Sequence, residues 1–185
     1  MIASLDQTDS PAGPIAFAVN EAGALVRVSF LDGVNEYSIG EELARDGYRV
    51  APASELTTPV REQIDAYTRG ELLEFDLPVA FNGTEWQKRV WQELMNISFG
   101  QTRSYGEIAS IVCTSRASRA VGRANATNPI PLIVPCHRVV GADGSLTGFG
   151  GGLHLKQALL EHEQRILQQM EDAPEGTQRS LLPAS

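Results

Sequence analysis

The segment Pro135-Cys136-His137-Arg138-Val139-Val140 gathers the residue types in this 185-residue chain best able to do covalent chemistry. A cysteine attacks as its thiolate, and a neighbouring base or cation lowers the cost of forming that anion. His137 could supply the base. Adjacent residues in an extended segment point to opposite faces, so a direct bond between the two side chains is not guaranteed and a bridging water is a reasonable link. The histidine then needs an acidic residue to orient it; Glu163 is the candidate, and the sequence does not separate it from Glu161. Three other roles for Cys136 compete. A Pro-Cys pair occurs in nucleobase-deaminase zinc sites, but the second cysteine required three residues on is replaced by Val139. A thiol-protease nucleophile would stand here without any family-specific signature around it. A buried inert cysteine is the usual role of an isolated thiol, and Cys113 fits it well.

The elements around this segment can be read from caps and periodicity. Thr84-Glu85-Trp86-Gln87 and Ser104-Tyr105-Gly106-Glu107 both fit capping boxes, in which the hydroxyl accepts from a free backbone N–H and the third residue reaches back. The first predicts a helix to about Met95, with Trp86, Val90, Trp91 and Leu94 inward. The second predicts a short helix through Ile108 and Ile111 to about Val112. After the polar turn Cys113-Thr114-Ser115 comes a helix containing Ser118-Arg119-Ala120-Val121-Gly122-Arg123, and the pair matches a helix-turn-helix. Arg116, Arg119 and Arg123 lie three and four apart and share a face, where like charges repel unless an anion meets them. Small residues at 117, 120, 122, 124 and 126 suit either approach to a DNA groove or close packing on another helix. Ile130 to Val134 predicts a buried strand or extended segment, Thr147 to Gly152 a flexible glycine loop. A last helix from about Leu153 to Gln169 turns Ala158, Leu159, Ile166 and Leu167 inward.

Residues 1–83 read as a separate α/β scaffold domain with no reaction centre. Pro14–Asn20 and Ala24–Leu31 favour strands around a turn at Glu21-Ala22-Gly23, and Asp32-Gly33 is a further turn signal. Thr58-Pro59 starts a helix with a capping hydroxyl, Val60, Ile64 and Tyr67 form its buried face, and Gly70 stops it. Asn82-Gly83 marks the boundary to a second domain over 84–170, and 171–185 read as a disordered tail.

Charge is partitioned along the chain. Residues 1–85 carry 15 acids and 5 bases, residues 86–140 carry 2 acids and 7 bases, and residues 141–185 carry 6 acids and 3 bases, for a net charge of -8. A basic middle between acidic flanks fits one face meeting a polyanion, or an ordinary solvated helical surface. The longest strongly apolar stretch, Ile130 to Cys136, is too short to cross a bilayer, and no secretory signal is visible. Two cysteines make no disulfide framework, and no Cys/His cluster has zinc spacing. A cytoplasmic protein with reduced thiols is the expectation.

Pro135-Cys136-His137-Arg138-Val139, with Arg119-Ala120-Val121-Gly122, Asn128-Pro129 and the Gly150-Gly151-Gly152 loop, closely resembles the O6-alkylguanine-DNA alkyltransferases, or methylated-DNA–protein-cysteine methyltransferases. The resemblance is strong over about 84–165 and weaker over 1–83. It implies a ribonuclease H-like N-terminal domain with a small antiparallel sheet, and a mostly α C-terminal domain of winged helix-turn-helix type. It implies binding of double-stranded DNA in the minor groove as a monomer, extrusion of O6-alkylguanine, and irreversible transfer of the alkyl group to Cys136 without cofactor or metal. O4-methylthymine is a further candidate substrate.

The same resemblance implies residue roles. Arg119 fills the space left by the extruded nucleotide, and Ser118, Ala120, Arg123 and Arg138 join it as DNA-binding residues. Tyr105 donates near guanine N3, and Asn128 braces the segment leading to the cysteine. The carbonyls of Val139 and Cys136 accept from the guanine 2-amino group, and Glu163 completes a cysteine–water–histidine–glutamate relay. Phe149 and Gly150 line the pocket where many relatives carry tyrosine and serine, and Asn125 stands where some carry a bulkier apolar residue. Two alternatives remain in play: a non-catalytic alkyltransferase-like lesion binder, which the presence of Cys136 disfavours, and a helix-turn-helix regulator.

Overall fold

The computed structural model describes residues 1–31 and 36–173, so the turn expected at Asp32-Gly33 and most of the expected tail lie outside the described residues. Strand alternation builds the N-terminal layer. In β2 (Gly13–Asn20), Ile15, Phe17 and Val19 face one side, and Ala16 and Ala18 the other. β2 pairs antiparallel with β1 (Ile2–Ser10) and β3 (Leu25–Phe30), and β1 pairs in parallel with β4 (Arg49–Ala51), in the order β3-β2-β1-β4. The sheet is therefore mixed rather than purely antiparallel, because α1 (Glu36–Arg45) carries the chain from β3 across to β4. Ile39 and Leu43 of α1 cover the alanine side.

β1 is a strand that apolar patterning did not announce. Its second half is Asp6-Gln7-Thr8-Asp9, and those polar side chains are matched from α2 (Thr58–Arg69) and the turn before it. Thr57 donates to Asp6 at 2.9 Å, Thr8 donates to Asp65 at 2.6 Å, and Arg61 pairs with Asp6. This also corrects the helix start. Thr57 is the N-cap and spends its hydroxyl on Asp6 and Ser54, while Thr58 is already helical ahead of Pro59. Val60, Ile64 and Tyr67 are buried against the large-residue side of the sheet, as their spacing predicts.

Two capping boxes open α3 (Glu85–Leu94) and α4 (Tyr105–Val112), each with both reciprocal bonds formed. α5 (Ser118–Ala126) follows a tight turn, and β5 (Arg103–Ser104) pairs in parallel with β6 (Val139–Val140). α6 (Leu153–Asp172) runs two residues into the segment expected to be tail. The core is continuous across the Asn82-Gly83 junction: Phe17 and Tyr67 belong to the same buried cluster as Trp91, Ile108 and Ile166. Each such large side chain stabilises the fold by roughly 1.5–3 kcal/mol through water exclusion. The outer edge of β3 is closed from the other half as well, since Val28 donates to the Pro129 carbonyl at 2.9 Å. Among the described residues no helix is long and apolar enough to cross a membrane.

Gly70 ends α2 in the left-handed region at φ +77°, and a Cβ there would lie 2.5 Å from Cδ1 of Ile166 on α6. Gly70→Ala is therefore expected to lower stability by about 1–3 kcal/mol in urea denaturation. An unchanged midpoint would contradict this packing.

Candidate active site

Leu132 to Val140 are all buried, and ahead of β6 the chain that threads them is not a strand. Leu132 holds φ +75°, the sole positive φ outside glycine among the described residues, a conformation costing about 1–3 kcal/mol. Asn128 fixes the loop, donating to the Val134 carbonyl at 2.9 Å and accepting from Ile130 N–H at 3.0 Å. Cys136, His137 and Arg138 then form one 3-10 turn. The extended geometry expected here is thus replaced by one in which successive side chains diverge by about 120°, three per turn.

His137 Nε2 lies 2.8 Å from Glu163 Oε1, with both side chains fully buried. Glu161, by contrast, is exposed and accepts from Gln157, so the geometry separates the two acids. Glu163 also accepts from the Tyr67 hydroxyl at 2.7 Å and from Gly100 N–H at 2.8 Å. Arg138 lies along it, with Nη2 2.8 Å from Oε1 and Nη1 donating to the Ile97 carbonyl at 2.6 Å. Burial pushes the Glu163 carboxyl up, but the hydrogen bonds from His137 and Arg138 and the Arg138 charge outweigh it and hold it at about 2. Burial pulls the His137 pKa down against the pull of Glu163, so its imidazole is neutral. An ionised carboxylate only accepts, which places the imidazole proton on Nε2. Nδ1 is left with its lone pair and no partner among the described residues, which is the form a base requires.

Arg138 is consequently not a DNA-facing residue. It is 5% exposed, and its guanidinium neutralises the acid that orients His137. Position 138 looked basic and available in the sequence because its long-range partner was invisible there.

Cys136 is 3% exposed, and burial raises its thiol to about 11 despite the Asn128 side chain and the Lys156 charge, which pull it down. Lys156 was missed by sequence reading. Its side chain is fully buried, donating to Val139 O and, at 2.7 Å, to Thr147 O, and burial lowers it to about 8. Helical spacing held the signal: residues 156, 159, 163 and 166 share the buried face of α6. The Tyr105 hydroxyl donates to Thr147 O at 2.8 Å, under the same loop.

A cavity of about 530 Å³ reaches Cys136. Phe149, Gly150 and Asn125 line it from the C-terminal half, and Arg27, Phe30 and Glu42 from the N-terminal half. The N-terminal half is therefore part of the site's wall, not scaffold alone; the Phe30 and Phe149 rings meet with centroids 6.1 Å apart, tilted by 54°. At Gly150 a Cβ would sit 3.0 Å from the Ala126 carbonyl, so the loop approaches α5 closely where a side chain would push it away.

The residues of α5 divide between a buried and an exposed face. Val121 and Ala124 are buried beneath α3, where Trp91 donates to the Ala124 carbonyl at 2.9 Å, while Arg119, Ala120 and Arg123 are exposed, like Arg116 before them. Ser118 donates to the Ser115 carbonyl at 2.6 Å. One expectation fails nearby: Cys113 is exposed, not buried, because it lies just past the end of α4, whose Ile111 is 61% exposed.

Two outcomes follow from these contacts. Arg138→Leu should cost about 3–5 kcal/mol in urea denaturation, because the buried Glu163 charge loses its cation. The salt dependence of DNA affinity should not change; a reduced slope would return Arg138 to the DNA face. In Cys113→Ser protein, the rate of Cys136 alkylation by iodoacetamide should rise about tenfold per pH unit from 7 to 10, since the thiolate forms only near 11. A plateau below pH 8 would contradict the buried, protonated thiol.

A family model described as the DNA binding domain of 6-O-methylguanine DNA methyltransferase matches residues 85–165. A methylated-DNA–protein-cysteine methyltransferase of Mycobacterium tuberculosis is 45% identical over 156 residues, covering 84% of this chain and 89% of the relative. The crystal structure of Mycobacterium tuberculosis O6-methylguanine methyltransferase superposes with a TM-score of 0.76 at 41% identity, covering 94% of this chain and 96% of that one. The structure of Mycobacterium tuberculosis OGT in complex with DNA gives 0.75 at 42% identity, covering 88% and 94%. With nearly the whole chain matched at this identity, and a buried cysteine beside a histidine–glutamate pair, the chain belongs to the methylated-DNA–protein-cysteine methyltransferases, DNA-binding enzymes of DNA repair.

Proposed function

We propose that the protein, acting as a monomer, binds double-stranded DNA through the minor groove and extrudes O6-alkylguanine into the cavity beside Cys136. It then moves the alkyl group to Sγ, once per molecule. The observation that carries this reading is a cavity of about 530 Å³ ending on a buried cysteine whose neighbour, His137, is held as a neutral base by Glu163. Extrusion is a chemical necessity, because the alkyl carbon cannot be attacked in line while the base is stacked. In the step itself, the thiol proton passes to His137 Nδ1 through a water and the S–C bond forms as the C–O6 bond breaks. The negative charge left on the purine is stabilised by a hydrogen bond at N3 from the Tyr105 hydroxyl and balanced by the protonated His137. The thioether has no route back, so the protein is consumed.

α4 and α5 serve as the helix-turn-helix of a winged domain, and the N-terminal sheet as a ribonuclease H-like layer. Arg119 enters the stack in place of the extruded base, and the exposed Arg123 and Ala120 and the half-buried Ser118 meet the backbone. Val139 O can accept from the guanine 2-amino group with its second lone pair while holding Lys156, and Phe149 and Gly150 flank the alkyl group.

Incubation with a duplex containing O6-methylguanine should add one CH2 to the mass of the Cys136 peptide, in a one-to-one ratio with protein. Cys136→Ser should gain none while still binding the lesion duplex. Label on Cys113, or a soluble methylated product formed over many turnovers, would overturn the reading.

A further inference from the structure

Tyr67 stands on α2, in the N-terminal half, yet its hydroxyl ends on the acid that orients His137. The side chain is fully buried. Its ring stacks on Phe75 with centroids 5.1 Å apart and meets the Phe99 ring edge-on at 5.7 Å, while its backbone carbonyl lies 3.1 Å from His162 Nε2. Those contacts fix where the hydroxyl points. Burial and the Glu163 charge push the phenol well above its ordinary value, so it remains a donor. Three side chains converge on one oxygen. Glu163 Oε1 accepts from Tyr67 at 2.7 Å and from Arg138 Nη2 at 2.8 Å, and lies 2.8 Å from His137 Nε2. Oε2 takes the Gly100 N–H, and Arg138 Nε is shared between the two oxygens at 3.0 and 3.2 Å. Donors that crowd one carboxylate oxygen compete for the same negative charge.

We propose that Tyr67 is a positioning residue that restrains His137: by sharing Oε1 with the imidazole, its hydroxyl draws charge from the carboxylate and keeps the histidine a weaker base than Glu163 would otherwise make it. The inference rests on the transfer reading above, in which His137 receives the thiol proton. Receiving it turns the imidazole into a cation, which is stabilised by whatever negative charge Oε1 still offers. The other charges facing the ring do not depend on the phenol. Arg138 beside it and Lys156 on α6 both oppose a positive ring. Behind Tyr67, burial holds His162 neutral, with Arg165 Nη2 2.8 Å from its Nδ1. Glu163, at about 2, has a wide margin before loss of one donor could leave it protonated at neutral pH. Removing the hydroxyl therefore strengthens the base, whereas damage to a merely structural residue would weaken the site.

The test removes the hydroxyl and keeps the ring. In Tyr67→Phe, checked for folding by circular dichroism, the His137 titration midpoint read by nitrogen-15 NMR should rise by about half to one pH unit. Single-turnover transfer from an O6-methylguanine duplex at neutral pH should quicken by about two- to fivefold. 3-Fluorotyrosine placed at position 67, a stronger donor than tyrosine, should lower the midpoint instead. An unmoved or lowered midpoint in folded Tyr67→Phe overturns the proposal, as do slower transfer by that variant or a rise with 3-fluorotyrosine. Wild-type protein that transfers nothing would refute the reading beneath it, while the midpoints still decide the restraint.

Discussion

The Glu163 carboxylate is the charge around which the molecule is arranged. It is fully buried, and a lone carboxylate in that position would protonate rather than stay ionised. Four donors prevent this: the imidazole of His137, the guanidinium of Arg138, the hydroxyl of Tyr67 and the amide of Gly100. They come from the Cys136–Arg138 turn, the N-terminal helix α2 and the segment between α3 and α4, while Glu163 itself stands on the last helix. A single acid thus ties both halves of the chain to the histidine beside Cys136. Its ionisation forces the imidazole proton onto Nε2 and leaves Nδ1 as the basic atom.

The reacting thiol is kept unreactive by the same burial that makes the site. At about 11, the free Cys136 thiol is protonated at neutral pH. This keeps the sulfur from being spent on adventitious electrophiles. Lys156 works against that penalty from α6, and at about 8 its own charge is held weakly, with two carbonyls and, among the described residues, no paired acid. The site is poised by opposing terms rather than by one strong activator.

Much of the site was legible because its signals are local. The cysteine–histidine pair, the two capping boxes with their reciprocal side chains and the arginines of α5 all depend on residues within a few positions of one another. The stop at Gly70 is likewise local, set by a single left-handed residue. β1 was not legible, since Asp6 and Thr8 are made tolerable by Thr57, Arg61 and Asp65, which lie more than fifty positions away. The links of Arg138 and Tyr67 to Glu163 were not legible for the same reason: Tyr67 reads correctly as a core aromatic and Arg138 as a base, and only the fold brings both to the acid. The contribution of Arg27, Phe30 and Glu42 to the cavity wall is likewise a property of how the halves meet. Lys156 is different, because its place on the apolar face of α6 could have been found from periodicity alone.

The arrangement makes one spectroscopic demand. In nitrogen-15 NMR of uniformly labelled protein near neutral pH, His137 should appear as a neutral imidazole carrying its proton on Nε2, with Nδ1 at the shift of an unprotonated ring nitrogen. An imidazolium, or a neutral ring protonated on Nδ1, would contradict the claim that the buried glutamate holds this histidine ready to take the thiol proton.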